Sequence, residues 1–381
     1  MTAIKTVLCL IAFLATTVSG LAFETIASSA YVIDVQSGAV LYAKDAERPI
    51  PPASMSKLMT LNMLFEALKS GRITMDSKFS VSEKAHLMGG SKMFLRQGER
   101  VAVRDLIPGI IVQSGNDACV VVAEGLEGSE AAFARKMTAR AKNLGMNNST
   151  FANATGWPHP NQRMSARDLV VLATRLQNEF PEYYSYFAQD TFTWANISQN
   201  NRNPLLKMGI GADGLKTGHT QEAGYGLVGS AVQDGRRVTF MITGMQSSAD
   251  RASEGERVIN WAFRNFTEKT VYEKDVVVGT ADVWLGKEST VELYSPTAIK
   301  ALMPYDAVDN YKATIRYTGP IEAPIAKDAQ IATLVIQAND MAATKYPLYA
   351  KSNVPKTGLL GRMKVSASKI KEELMGPSED R

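Results

Sequence analysis

Strand patterns begin and end the first two thirds of this chain, and helical patterns lie between them. Residues 30–35 and 39–42 are rich in β-branched and aromatic side chains and are joined by a short turn, as paired strands are. Residues 225–232 and 237–243 form a second pair around Asp234-Gly235, a sequence typical of hairpin turns. This order favours an α/β (α+β) domain, in which helices cover one sheet, over a parallel βαβ array.

The helical patterns have clear starts and stops. Pro51-Pro52 ends the second strand pattern, and apolar residues then recur at helical spacing from Met55 to Leu68, until Gly71. Ser54 therefore lies at or just inside the N-terminus of this helix. Further helices are predicted over residues 105–126, 131–144, 165–180 and 251–265.

A change of character after residue 268 predicts a second domain. With 381 residues, the chain is longer than one compact core usually holds. Short strand-like runs follow, separated by turns at Gly279 and Gly286, which is typical of a small all-β domain. We therefore expect a mixed domain over 23–268 and a β domain over 269–355. The predicted strands of the second domain are 275–278, 281–285, 290–293, 313–317 and 331–337.

The N-terminal residues predict an export signal. Lys5 precedes an apolar run over residues 7–18, and small residues stand at Gly20 and Ala22. We expect cleavage after Ala22, so that residues 1–22 are a signal peptide. The apolar run is short for a membrane span, which makes an uncleaved anchor the lesser alternative.

Residues 356–381 form a tail with the pattern of an amphipathic helix. Between Leu359 and Met375 the apolar side chains fall in an arc of about 100° on a helical wheel, with Lys364 and Lys371 on one flank. Such a helix can lie in a membrane interface as a peripheral contact. A helix that packs on the β domain or lies in solvent explains the pattern equally well, and the tail lacks aromatic residues.

Composition argues against several function classes. The net charge is only +4 and the basic residues are dispersed outside the tail, so nucleic acid is not an expected partner. Cys9 falls in the predicted signal, and core packing explains Cys119, which stands among apolar residues, better than a catalytic thiol does. Three scattered histidines with one mature cysteine make no plausible zinc site. We therefore expect neither a metal nor a cofactor.

Three short motifs follow one another along the mixed domain: Ser54-Met55-Ser56-Lys57, Ser114-Gly115-Asn116 and Lys216-Thr217-Gly218. A serine is a poor nucleophile at neutral pH and needs a base, together with donors for the developing negative charge. None of the three histidines stands in a triad pattern. A lysine three residues after the serine is a known substitute, and on a helix it lies one turn away on the same face. Because each motif also recurs elsewhere in the chain, their order and placement carry the prediction.

Longer strings around the motifs are more specific. They are residues 93–95, 113–119, 165–168 and 213–220. With these strings, the chain resembles the low-molecular-weight penicillin-binding proteins, serine-type D-alanyl-D-alanine carboxypeptidases of the peptidase S11 type, over nearly its whole length. The resemblance implies a DD-peptidase/β-lactamase-like catalytic domain that removes the terminal D-alanine from peptidoglycan stem pentapeptides through an acyl-enzyme. It also implies inhibition by β-lactams such as penicillin, and a place in the bacterial periplasm, peripheral on the outer face of the inner membrane.

The resemblance assigns roles to four catalytic groups. Ser54 attacks the carbonyl carbon of the penultimate D-alanine, and Lys57, kept partly neutral by burial and by the charge of Lys216, accepts its proton. Ser114 relays a proton to the departing amine, and Asn116 orients Lys57 and the substrate amide. Helix capping is the structural alternative for Ser114 and Asn116.

The third motif is assigned to substrate recognition. Lys216 raises the local positive potential, and Thr217, followed by Gly218, binds the terminal carboxylate of the substrate. The backbone amides of Ser54 and His219 form the oxyanion hole, so the His219 ring need not be catalytic.

An exopeptidase must also recognise a free carboxylate, and arginine does this with paired donors. Arg202 matches the candidate of the family, and Arg251 is the weaker candidate. The ordinary alternative for both arginines is a surface salt bridge.

Two other functions fit part of the pattern. A class A β-lactamase shares the three motifs, but it needs a glutamate after the second motif to activate water, and residues 131–167 contain no Asp or Glu. A catalytically silent scaffold of the cell envelope has no physical reason to keep all five of Ser54, Lys57, Ser114, Asn116 and Lys216. The carboxypeptidase is therefore the favoured interpretation.

Overall fold

The computed structural model describes residues 23–339 and 341–358. The predicted signal peptide (1–22) and the predicted tail helix from Leu359 to Met375 lie outside these residues. Within them, no helix is long and apolar enough to cross a membrane.

The described residues fold into strands and helices whose bounds follow here in chain order. The strands are β1 (Ser29–Asp34), β2 (Val40–Lys44), β3 (Lys78–Ser80), β4 (Arg100–Ala102), β5 (Thr191–Trp194), β6 (Ile197–Asn200), β7 (Ala212–Thr220), β8 (Gly224–Gln233), β9 (Arg236–Met245), β10 (Phe266–Tyr272), β11 (Val277–Trp284), β12 (Thr290–Tyr294), β13 (Ile299–Pro304), β14 (Tyr311–Arg316), β15 (Ile321–Glu322), β16 (Gln330–Ala338) and β17 (Thr344–Ala350). The helices are α1 (Lys57–Lys69), α2 (Glu83–Leu87), α3 (Val103–Ile111), α4 (Asn116–Glu127), α5 (Glu130–Asn143), α6 (Ala166–Glu179), α7 (Pro181–Tyr184) and α8 (Ser248–Asn265).

Five antiparallel strands form the sheet of the first domain, in the order β2-β1-β9-β8-β7. β8 and β9 are the predicted hairpin around Asp234-Gly235. Val228 and Met241 pack into the larger helical core on one face of this sheet, whereas Leu227 and Phe240 pack with α8 on the other. The favoured α/β interpretation is confirmed, and burial of both faces explains the long apolar runs in β8 and β9.

The prediction of one helix over residues 105–126 is wrong, because the chain breaks there into α3 and α4. Ser114 has a φ of 58°, in the left-handed region that a right-handed helix does not include. Gly115 follows as the N-cap residue of α4. The break places Ser114 and Asn116 at the N-terminal end of α4, a helix that packs against α1.

The second domain consists of the pair β10-β13 and a sheet in the order β14-β16-β17-β12-β11-β15, around a separate apolar core. The all-β prediction is confirmed, although β10, β13, β15 and β17 are absent from the predicted strands, and the predicted strands 275–278 and 281–285 form the single strand β11. The predicted boundary at residue 268 falls inside β10. This strand begins at Phe266 directly after α8 and pairs with β13, so no turn sequence marks the change of domain.

Candidate active site

Ser54 lies in a tight 3-10 turn, Ala53–Ser56, that leads directly into α1. Pro51-Pro52 precedes the turn, and Ala53 has a φ of 48°. The turn places Ser54 Oγ 2.8 Å from Nζ of Lys57. The predicted pair of serine and lysine therefore forms within one turn of the chain.

The amino group of Lys57 is fully buried and has three oxygen partners. Nζ donates to Ser54 Oγ at 2.8 Å, to Asn116 Oδ1 at 2.8 Å and to the Thr155 carbonyl at 2.6 Å. An ammonium group uses all three of its N–H bonds in this arrangement. A neutral amine keeps two donors for Asn116 and Thr155 and directs its lone pair to Ser54, which is what a general base requires.

Burial lowers the pKa of Lys57 to about 8, and the positive charge of Arg202 adds to this effect. The pKa of Lys216 is lowered well below its ordinary value, first by burial and then by the charge of Lys57. Repulsion between these two buried lysines disfavours the state in which both are protonated. Lys57 has three close oxygen partners, whereas Lys216 Nζ donates to the Thr217 carbonyl at 3.3 Å.

The Thr155 carbonyl belongs to a turn that no sequence motif predicts. Asn153 Oδ1 accepts hydrogen bonds from the backbone amides of Thr155 and Gly156, at 3.1 and 2.8 Å. A Cβ atom on Gly156, which has a φ of +83°, would lie 1.9 Å from the Ala53 carbonyl oxygen. Glycine therefore lets this turn approach the Ser54 turn, and a backbone carbonyl that contacts a lysine leaves no motif in the sequence.

Asn116 connects Lys57 to the segment before β4. Its Nδ2 donates to the Gly89 carbonyl at 2.8 Å, and its backbone amide donates to the Ser91 carbonyl at 2.8 Å. Ser114 Oγ is buried and has no hydrogen-bond partner within the described part of the chain. Neither Ser114 nor Asn116 caps α4, so the capping alternative is not observed.

The motif Lys216-Thr217-Gly218 lies in the middle of β7, at the edge of the sheet beside the Ser54 turn. A Cβ atom on Gly218 would lie 3.0 Å from the Pro52 carbonyl oxygen, so the strand and the turn are in close contact. The ring of His219 packs on Tyr225, with 4.0 Å between the ring centroids.

Arg202 and Arg251 lie side by side above this strand. Arg202 Nη1 donates to Ser91 Oγ at 2.6 Å, and Arg251 Nη2 donates to the Arg202 carbonyl at 3.5 Å. The Arg251 guanidinium lies 5.6 Å from the centre of the Tyr225 ring. Among residues 23–339 and 341–358 neither arginine forms a salt bridge, so the salt-bridge alternative is not observed.

A cavity of about 500 Å³ connects these groups. Seven of the ten predicted site residues line it, and the other three, Lys57, Asn116 and Lys216, are buried. Two lining residues, Ser91 and Tyr225, are not in the predicted set, because an isolated hydroxyl and an isolated ring belong to no motif. None of the lining residues is acidic. They are Ser54, Ser91, Ser114, Arg202, Thr217, Gly218, His219, Tyr225 and Arg251.

Cys119 does not take part in this chemistry. Its side chain is fully buried in the helical core, and burial raises the pKa of its thiol to about 12. A thiol with this pKa is neutral at physiological pH and is therefore a poor nucleophile.

Comparison with known proteins agrees with this geometry. The family model described as D-alanyl-D-alanine carboxypeptidase, peptidase S11, matches residues 15–247, and the model of the penicillin-binding protein 5 C-terminal domain matches residues 266–356. The D-alanyl-D-alanine carboxypeptidase DacC of Escherichia coli (strain K12) is 36% identical over 340 residues, which cover 87% of this chain and 85% of the relative.

Solved structures extend the match to the fold. Penicillin binding protein 5 from Haemophilus influenzae superposes with a TM-score of 0.77 at 31% identity, covering 88% of this chain and 99% of that protein. The D-alanyl-D-alanine carboxypeptidase DacD from Francisella tularensis has the same TM-score at 30% identity, with 88% and 95% coverage. The chain therefore belongs to the peptidase S11 family and is a serine-type D-alanyl-D-alanine carboxypeptidase.

Proposed function

We propose that this carboxypeptidase cleaves the terminal D-alanine of peptidoglycan stem pentapeptides through an acyl-enzyme on Ser54, with Lys57 as the general base. The observation that carries the proposal is the buried contact of 2.8 Å between Lys57 Nζ and Ser54 Oγ, at a cavity lined by two arginines and no acid.

Acylation begins when neutral Lys57 accepts the proton of the Ser54 hydroxyl. Ser54 Oγ then forms a bond to the carbonyl carbon of the penultimate D-alanine, and the backbone amides of Ser54 and His219 stabilise the oxyanion. Collapse of this intermediate breaks the C–N bond. The departing amine of the terminal D-alanine takes the proton from Lys57 through Ser114, which lines the cavity and whose Oγ has no hydrogen-bond partner among the described residues. Hydrolysis repeats these steps with water as the nucleophile.

Substrate recognition depends on the terminal carboxylate. Arg202 and Arg251 supply positive charge on one side of the cavity, and burial lowers the pKa of both guanidinium groups without neutralising them. The Thr217 hydroxyl supplies a further donor from β7. It lies next to Gly218, where the lack of a side chain lets β7 approach the Ser54 turn closely. A substrate carboxylate would replace the Ser91 hydroxyl as the acceptor of Arg202, and it would offer the guanidinium two charged oxygens instead of one neutral oxygen.

The pH dependence of acylation follows from the pKa of Lys57. Because the base must be neutral and its pKa is lowered to about 8, we expect kcat/KM to fall about tenfold per pH unit below pH 8 and to level off above it. Arg202→Gln removes a positive charge that lowers this pKa, so its acid limb is expected to move to higher pH. Stopped-flow measurement of the acylation rate across this pH range locates the acid limb in the parent protein and in Arg202→Gln. A parental acylation rate that does not change with pH below pH 8 would contradict the assignment of Lys57 as the base.

Trapping with benzylpenicillin tests the proposed nucleophile. We expect mass spectrometry to find one covalent adduct on the Ser54 peptide, absent from Ser54→Ala. The adduct should persist for minutes, because the opened β-lactam amine stays attached to the acyl group where water must enter, and no carboxylate lines the cavity to activate water from another side. Loss of the adduct within milliseconds would favour the β-lactamase alternative. Absence of any adduct on the parent protein would favour the silent scaffold.

We also propose that the enzyme acts outside the cytoplasm. Residues 1–22 would direct export to the bacterial periplasm, where the peptidoglycan substrate lies, and the segment from Leu359 to Met375 would add a peripheral membrane contact. The pattern of small and apolar residues supports the first step, and the amphipathic arc supports the second.

A further inference from the structure

A second cleft of about 600 Å³ lies where β7 leaves the active site. Three of its lining residues are charged: Arg48, Arg163 and Glu222. We call it the arginine cleft. Its lining residues are Ser28, Arg48, Pro49, Ile50, Pro51, Arg163, Gln221, Glu222, Ala223, Gly224, Thr243, Gly244 and Gln246.

Two chain segments run from the active site into the arginine cleft. The segment before Ser54 supplies Arg48 and residues 49–51, and Ile50 exchanges two backbone hydrogen bonds with Met164, at 2.9 and 3.0 Å, which brings Arg163 alongside. The turn between β7 and β8 supplies the other wall. Thr217, Gly218 and His219 of β7 line the active site, and Gln221 and Glu222, directly after the end of β7, line the cleft.

The contacts of the proposed function fix the direction in which a peptide lies along β7. The carboxylate binds at Thr217 and the oxyanion at the backbone amide of His219, so the scissile carbonyl lies further along β7 than the carboxylate. A peptide with its terminal carboxylate at Arg202 and its scissile carbonyl at Ser54 therefore has its preceding residues toward the end of β7 and the cleft.

Both arginines of the cleft have weak carboxylate partners that a ligand can replace, while backbone carbonyls hold the guanidinium groups in place: Ser28 for Arg48, and His159 and Gln162 for Arg163. Arg163 pairs with Glu222 at 3.2 Å, and the Glu222 side chain is 62% exposed. Arg48 lies 3.8 Å from Asp45, and both of these side chains are more than half exposed. Exposed pairs of this kind contribute little.

We propose that the arginine cleft binds a carboxylate that the stem peptide carries two or three residues before its C-terminus, and so selects acidic stem peptides. This inference rests on the proposed function. A stem peptide offers two such groups, the free α-carboxylate of a γ-linked D-glutamate and the side-chain carboxylate of a diaminopimelate. Glu222 competes with either one for Arg163.

The test compares pentapeptides that carry both carboxylates with pentapeptides amidated at one or the other. The rate of D-alanine release gives kcat/KM for each peptide. We expect amidation of the recognised carboxylate to lower kcat/KM of the parent protein about tenfold. In the double variant Arg48→Gln, Arg163→Gln, the same amidation is expected to leave kcat/KM unchanged. Glu222→Gln is expected to raise kcat/KM for the acidic peptide. Which of the two amidations has the effect identifies the source of the carboxylate.

Two controls separate this proposal from the function of the active site. The first control is a diacylated Lys-D-Ala-D-Ala peptide, which has no carboxylate except its terminus, and we expect all variants to cleave it with the same kcat/KM. The second control is Arg72→Gln. Arg72 is an exposed arginine that lines neither cavity, so this variant is expected to have the parental kcat/KM for every peptide. If amidation and the arginine variants leave kcat/KM within twofold while the short peptide is cleaved, the arginine cleft has no such role. If the parent protein does not cleave the short peptide, the proposed function itself is wrong.

Discussion

Replacing Lys57 with methionine is expected to lower the rate of Ser54 acylation by about a thousandfold, within the range that a positioned general base contributes. Methionine has a similar length but no lone pair of sufficient basicity, so the Ser54 proton has no acceptor at 2.8 Å. Acylation by benzylpenicillin and release of D-alanine should fall together, because both reactions begin with the same proton transfer.

Lys69→Met is the matched control. Lys69 ends the same helix, and its side chain is 52% exposed in a surface pair with Glu179. We expect this variant to acylate at the parental rate, while thermal unfolding shows that both variants keep their fold. A Lys57→Met protein that acylates within tenfold of the parent would exclude Lys57 as the base.

The parts of the site that the sequence predicts are those in which local geometry fixes the contact. Ser54 and Lys57 meet because one turn of chain separates them. The hairpin around Asp234-Gly235 is predictable for the same reason, since its turn sequence and its strand patterns agree. The spacing of residues within one motif does not say which motifs lie together in the fold. The order of the three motifs along the chain does, and it predicts that Asn116 and Lys216 belong to one site.

The parts that the sequence does not predict depend on tertiary contacts. The apolar run from residue 105 to 126 has helical periodicity throughout. The left-handed conformation of Ser114 interrupts it at a cost in free energy that only the surrounding fold offsets. The Thr155 carbonyl reaches Lys57 across a separation of 98 residues, through a backbone atom that every residue type has. The lowered pKa values of Lys57 and Lys216 likewise depend on burial that only the folded chain provides.

Replacing Gly156 with alanine is expected to destabilise the fold by about 3 kcal/mol and to slow acylation strongly. The left-handed backbone costs about 1–2 kcal/mol for an L side chain, and overpacking adds about 1–3 kcal/mol. The new Cβ atom would lie 1.9 Å from the Ala53 carbonyl and 2.6 Å from Ser56 Oγ, so the Ser54 turn or the Thr155 turn must move. Either movement separates Lys57 from one of its oxygen partners.

Gly145→Ala separates this steric effect from the backbone strain. Gly145 has a φ of +75°, close to that of Gly156, but a Cβ atom there would have no neighbour within 4 Å. Urea unfolding should therefore show a loss of about 1–2 kcal/mol for Gly145→Ala, with acylation unchanged. The difference between the two variants measures the contact between the turns. Equal losses of stability and equal acylation rates would mean that the Thr155 turn does not hold the Ser54 turn in place, and that Lys57 is positioned by Asn116 and its own helix.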